Sequence, residues 1–361
     1  MTHTALHYIA AFLLSFAVSI TITPVIKKIA IKIGAVDQPN TRKVHQAIMP
    51  RMGGLAIFIG SFAGFLFLMP QSVYMKEVVG GALIILVVGL LDDRFTLSAK
   101  YKLIGQVVAA IMVISSGLLI DKVTLPMLGV IYLDWFSYPV TLLWIVGITN
   151  AINLIDGLDG LAAGVTSIAL GSILIMAIAD SQIVVIALCT ILIGSSLGFL
   201  YHNFYPAKIF MGDTGALFLG YSISIVSMLG LFKNVTIFSF IIPIIVLAIP
   251  IFDTLFAILR RALNKQKLAQ PDKHHLHYCL LGVGFSHRTT VLLLYAVSAC
   301  FGAAAILFSN ATLWVSIFIV FILLILIQFS AELVGLIGEN HKPLISAIKK
   351  LIETRRPQKD Q

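Results

Sequence analysis

Apolar runs follow one another along the whole chain, separated by short polar breaks. They lie at about 5–24, 52–70, 78–91, 103–120, 138–150, 160–179, 183–200, 215–232, 235–258, 290–309 and 311–330. A run of roughly 20 apolar residues crosses about 30 Å of hydrocarbon. Inside that layer every backbone N–H and C=O must be satisfied within its own segment, so each run is expected to be a helix. The pattern predicts an all-α, polytopic membrane protein of about eleven transmembrane helices. Residues 1–330 would form a single transmembrane domain and residues 331–361 a basic tail lying at the membrane surface. Of the 361 residues, 59% are hydrophobic and 11% charged, outside the range of soluble domains. The first run has no basic segment before it and no small-residue cleavage site, so it reads as a retained span.

A net charge of +9 would suit a nucleic-acid partner, but its distribution argues against one. Numbering the loops from the first span, all but Lys76, Lys122 and Lys233 of the 25 Lys and Arg fall on the odd-loop side or in the tail. By the positive-inside rule that side is cytoplasmic, with the N-terminus outside and the C-terminus inside. Cys189, Cys279 and Cys300 show no paired spacing and predict neither a disulfide nor a thiolate metal site.

The same assignment puts every polar cluster on one face. The stretch Asn150-Ala-Ile-Asn153-Leu-Ile-Asp156-Gly157-Leu158-Asp159-Gly160 is the densest. An Asp-Gly pair is ordinary turn chemistry, but this loop has two amides, two carboxylates and no Lys or Arg, unlike its neighbours. The other odd loops hold Pro50-Arg51-Met52-Gly53-Gly54, then Asp92-Asp93 with Lys102, then Phe210-Met211-Gly212-Asp213, then Asp272-Lys273-His274-His275-Leu276-His277.

Carboxylates gathered with Lys and Arg suit a phosphate-rich substrate, because carboxylates hold Mg²⁺ and cations offset phosphate charge. Transport would instead place acids at mid-span, where Asp253 is the one candidate. Adjacent helix residues point about 100° apart, so of Asp92 and Asp93 one would face a site and the other brace the next turn. Asp156 and Asp159, three apart, would share a face. Glycines flanking Asp213 would let backbone approach a phosphate or metal. The histidine spacing matches no structural-zinc pattern; imidazoles contacting sugar or pyrophosphate are the better reading.

Together, in this order, these motifs resemble the polyprenyl-phosphate N-acetylhexosamine-1-phosphate transferase family. The resemblance covers residues 37 to 290. Pro271-Asp272-Lys273 and Gly282-Val-Gly284-Phe-Ser286-His287-Arg288 are similar to the GlcNAc-1-phosphate branch, including its teichoic-acid initiators. Arg94-Phe95-Thr96 departs from the MurNAc-pentapeptide branch, which carries a lysine shortly after the paired acids.

The resemblance implies Mg²⁺-dependent transfer of GlcNAc-1-phosphate from UDP-GlcNAc to undecaprenyl phosphate at the cytoplasmic face of a bacterial plasma membrane, with Mn²⁺ as a substitute metal. It implies Asp213 as principal metal ligand, assisted by Asp93 or Asp156, and Asp92 deprotonating or orienting the lipid phosphate. Asn153, Asp156, Leu158, Asp159 and Phe210 would hold the uridine end. Lys43, Arg51 and Lys102 would hold phosphates, and His275 and His277 would face the pyrophosphate or sugar. The acceptor brings its own nucleophile, so one in-line step is favoured over an aspartyl-phosphate intermediate. A homodimer is left open. The competing readings are MurNAc-pentapeptide-phosphate transfer and secondary transport of an anionic substrate.

Overall fold

The computed structural model describes residues 4–37, 49–125, 129–230, 241–263, 265, 275–309, 311 and 313–334. Among them the chain is overwhelmingly helical. The helices are α1 (Ala5–Ile33), α2 (Gly54–Leu68), α3 (Met75–Phe95), α4 (Ala99–Ser115), α5 (Ser137–Ile155), α6 (Leu161–Ala179), α7 (Ile183–Asn203), α8 (Gly212–Gly230), α9 (Ile241–Val246), α10 (Ala248–Leu263), α11 (Leu276–Val283), α12 (His287–Ser309) and α13 (Leu313–Val334). Six described segments are long and apolar enough to cross a membrane: α1, residues 134–155 with α5, α6, α7, α8 and α12. This is a multi-pass membrane protein.

Two short hairpins depart from the all-α expectation. Val36–Asp37 pairs antiparallel with Met49–Pro50, and Lys122–Leu125 with Gly129–Tyr132. The ninth apolar run is split at Leu247 into α9 and α10. Pro250 has no N–H to give the carbonyl four residues earlier, which is where a continuous helix would fail.

The first span was expected to stop near Pro24, yet α1 continues to Ile33 and ends at Gly34 in the left-handed conformation. Pro24 leaves the Ile20 carbonyl without its helical donor. His202, from the end of α7, fills that place with Nε2 3.0 Å from the Ile20 oxygen. The helix survives its proline because a neighbouring helix supplies the missing hydrogen bond. His202→Ala should therefore lower stability by about 1–3 kcal/mol, the cost of an orphaned carbonyl. A thermal melt of the detergent-solubilised variant checks this, and an unshifted midpoint would refute it.

α8 is the most enclosed of the six candidate spans. It packs between α3 and α5, while α1 lies against α2 and α7, and α6 against α7 and α12. Small residues set these approaches, as is usual where helices meet in lipid. A methyl placed on Gly54 would overlap the backbone of Gly215, so α2 and α8 touch main chain to main chain at their first turns. The segments before them run side by side: Phe210 N–H donates to Pro50 O at 2.9 Å, Gly53 N–H to Phe210 O at 3.0 Å, and Gly54 N–H to Met211 O at 2.8 Å. This ladder brings Arg51 and Phe210 to one place. Described residues from all five odd-numbered loops, among them Arg51, Lys102, Asp156, Asp213 and His287, come together around one cavity and the acid cluster beside it.

Candidate active site

Gly212, at φ +70°, turns the chain into α8. The first N–H groups of a helix have no acceptor of their own. Asp93 supplies one: its Oδ1 accepts the Asp213 N–H at 2.9 Å, and its Oδ2 accepts the Thr214 N–H at 3.1 Å together with the Thr214 hydroxyl. Asp93 is buried, and both oxygens are committed to α8. Asp93 was expected to be catalytic and to assist at the metal; here both of its oxygens hold the helix that carries Asp213. Asp92, one position earlier, points elsewhere.

Asp92, Lys102 and Asp213 meet in one cluster. The Lys102 ammonium lies 2.6 Å from Asp213 Oδ2 and 3.3 Å from Asp92 Oδ2. The Asn153 side chain lies close enough to Asp213 to favour its charged form as well. Asp156, at the end of α5, is near enough to feel this charge. Burial first, then the negative charges of Asp213 and Asp93, push its carboxyl up to about 8, against the pull of Arg51. Arg51 is itself held by Asp37 at 2.8 Å.

Whether these residues suit a magnesium ion is answered by their chemistry. Among the described residues, no three His, Cys, Asp or Glu side chains converge as a ready-made metal cage. Mg²⁺ does not require one; it is commonly held by one or two carboxylates, with substrate phosphates and water completing its shell. Two hard-oxygen ligands with a cation already between them, the Lys102 ammonium, fit that description. Asp92 Oδ1, buried and without a hydrogen-bond partner, is a further open oxygen.

Beside the cluster lies a cavity of about 530 Å³, lined by Arg51, Asp156, Leu158, Asp159, Phe210 and Asp213 among others. One part of its wall is a second polar group. Asp159 donates its N–H to His287 Nε2 at 3.0 Å, and its Oδ2 accepts the Ala207 N–H at 3.0 Å. The His287 ring stacks on Tyr205 with centroids 4.6 Å apart. A concave space of this size, with opposed cations and carboxylates, suits a small charged ligand.

Of the residues read from sequence, Arg51, Asp156, Leu158, Asp159, Phe210 and Asp213 line this cavity, and Asp92, Lys102 and Asn153 join it through Asp213. Lys43, Pro271, Asp272, Lys273, His274 and the tail from residue 335 lie outside the described residues. His275 and His277, expected to face the pyrophosphate or sugar, are not among the residues that line this cavity. Both are buried, and burial drives the His277 imidazole down to about 4, so it carries no charge at neutral pH.

Residues 75–231 match the model of the family described as "Glycosyl transferase family 4". Over 96% of its length the chain is 54% identical to a Bacillus subtilis protein, "Probable undecaprenyl-phosphate N-acetylglucosaminyl 1-phosphate transferase", of which it covers 97%. The chain belongs to glycosyl transferase family 4. Two more distant relatives carry similar names. A Mycobacterium tuberculosis "Decaprenyl-phosphate N-acetylglucosaminephosphotransferase" is 36% identical, with 79% of each chain aligned. A Yersinia pestis "Undecaprenyl-phosphate alpha-N-acetylglucosaminyl 1-phosphate transferase" is 29% identical, over 82% of this chain and 81% of the relative.

In this family 4 transferase, three contributors to the site escaped the sequence reading. Asn203 ties two loops together, accepting the Gly160 N–H at 3.0 Å and donating to Ile209 O at 2.9 Å. Tyr205 and His287 build the wall beside Asp159. A signal for His287 was present, since Ser286-His287-Arg288 follows a glycine turn and opens a helix on the odd-loop side, but nothing local named its partner.

Proposed function

We propose that this enzyme transfers GlcNAc-1-phosphate from UDP-GlcNAc to undecaprenyl phosphate, giving undecaprenyl-diphospho-GlcNAc and UMP. The reaction would begin a cell-wall polymer of the teichoic-acid kind, at the cytoplasmic face of a bacterial plasma membrane, with eleven spans, the N-terminus outside and the C-terminus inside. The observation that carries the reading is the Lys102 bridge between Asp213 and Asp92 beside a cavity holding Arg51 and Phe210. The relatives named for polyprenyl-phosphate N-acetylglucosamine transfer support it.

Phosphoryl transfer requires positioning and charge neutralisation more than a protein nucleophile. Phe210 stacks on the uracil, with Leu158 and Asp159 beside it. Arg51, steadied by Asp37, takes the diphosphate. Lys102 exchanges its carboxylate partners for phosphate oxygens. Asp92 orients the acceptor phosphate and holds its proton. An oxygen of the lipid phosphate forms a bond to the β-phosphorus, the bond from that phosphorus to the bridging oxygen breaks, and UMP leaves with the bridging oxygen. Mg²⁺ held by Asp213, with Asp156 adjacent, would draw off charge from the pyrophosphate.

Asp92→Asn should then slow a single turnover by about 10²-fold, the scale of a lost proton-handling group. UDP-GlcNAc affinity should stay within about threefold, because uniform binding is untouched. Rapid-quench kinetics beside calorimetric titration separates the two, and a matching loss in affinity would refute the role. The reading as a whole is tested by UMP release from UDP-GlcNAc in detergent. Release should need both added undecaprenyl phosphate and Mg²⁺, and EDTA should abolish it. Release from UDP-MurNAc-pentapeptide alone, or substrate flux into proteoliposomes without UMP, would overturn it.

A further inference from the structure

Behind the turn that carries Asp156, Leu158 and Asp159 stand three buried groups that never reach the cavity: Asp253 of α10, His275, and His277 of α11. An acid in so apolar a helix needs a partner or a function. Asp253 has two partners. Its Oδ2 lies 2.8 Å from His275 Nδ1, and its Oδ1 accepts the Leu276 N–H, the first of α11, at 2.7 Å. Both oxygens are engaged at the start of α11, so the mid-span acid that could have suggested transport serves as an anchor for that helix.

The contact then passes onward. The His275 and His277 rings are stacked, 7° from parallel with centroids 5.8 Å apart. The far ring rests on Gly157: His277 Nε2 has no hydrogen-bond partner, and a methyl on Gly157 would overlap it. Gly157 sits between two cavity-lining acids, and its N–H closes the turn onto Ile155 O at 2.8 Å. One buried carboxylate thus fixes the stack of two rings that backs this turn.

We infer that Asp253 is a positioning residue for the nucleotide-sugar site: through His275 and His277 it presses on Gly157 and fixes the turn that carries Asp156, Leu158 and Asp159 into the cavity. The inference rests on the donor occupying that cavity. The lipid acceptor does not depend on this brace.

In the full-length enzyme, Asp253→Ala should raise KM for UDP-GlcNAc by on the order of 10-fold to 100-fold, as loss of a supporting hydrogen bond behind a site does. KM for undecaprenyl phosphate should stay within about twofold, the acceptor-side contacts being unchanged. Asp253→Glu, which keeps a carboxylate for His275, should restore most of the donor affinity. Gly157→Ala attacks the same contact from the other side, leaving α10 intact, and should give the same split; it decides the matter if Asp253→Ala does not fold. A purely structural role predicts less folded protein and lower turnover with both KM values unchanged, and that result, or wild-type kinetics in both variants, would overturn the inference. Absence of UMP release from UDP-GlcNAc by the wild-type enzyme would instead overturn the donor assignment.

Discussion

Replacing Asp213 by alanine is expected to abolish turnover, by on the order of 10³-fold or more, the scale on which preorganised charge at a reacting centre acts. The carboxylate is where three strands of the site join: Lys102 at 2.6 Å, the Asn153 amide, and Asp92 through the shared ammonium. Its removal leaves Lys102 with Asp92 alone and, on the proposed mechanism, takes a carboxylate away from the metal. The fold should tolerate the change. It is the Asp213 backbone N–H, which alanine retains, that binds Asp93 and anchors α8. Gel filtration and thermal melting should therefore match wild type while UMP release disappears. Residual activity within tenfold of wild type would mean that the acidic cluster is not the reacting centre.

Gly54→Ala should be nearly as damaging for a different reason. The added methyl would collide with the N and Cα of Gly215 rather than with a flexible side chain. Neither backbone can withdraw easily, because Gly53 and Gly54 donate to the carbonyls of Phe210 and Met211. Overpacking of a rigid contact costs about 1–3 kcal/mol and sometimes more. Here it would also separate Arg51 from Phe210, so activity should fall by about 10²-fold even in protein that survives purification, as small misplacements at a reacting centre do. Gly171→Ala, where an added methyl meets no other atom within 4 Å, is the control and should be neutral or slightly stabilising. Equal behaviour of the two variants would show that the α2–α8 contact does not govern the site.

How much of this was readable beforehand follows the range of the forces involved. Hydropathy is local, so the helices came out close to their observed places; α6, for example, was expected at 160–179 and is found at Leu161–Ala179. The extension of α1 through Pro24 was not readable, because the donor that rescues it belongs to His202, far along the chain. Geometry on one helix correctly split Asp92 and Asp93 into one group facing inward and one bracing, but not which was which; that depended on where the start of α8 would arrive. The histidines show the limit most clearly. Their residue type suggested contact with a ligand, and only the partner in α10, 22 residues before His275, shows them buried behind the site. Chemistry carried by a run of neighbours was legible, and chemistry created by long-range docking was not.

The cavity is walled by Asp37 near the beginning of the chain and by His287 close to its last helices. Ribosomal synthesis and insertion deliver these ends far apart in time, so an unfinished chain has no chamber in which to hold a sugar nucleotide. Catalytic competence should therefore come late, once α12 has packed, rather than growing as each hairpin enters the bilayer.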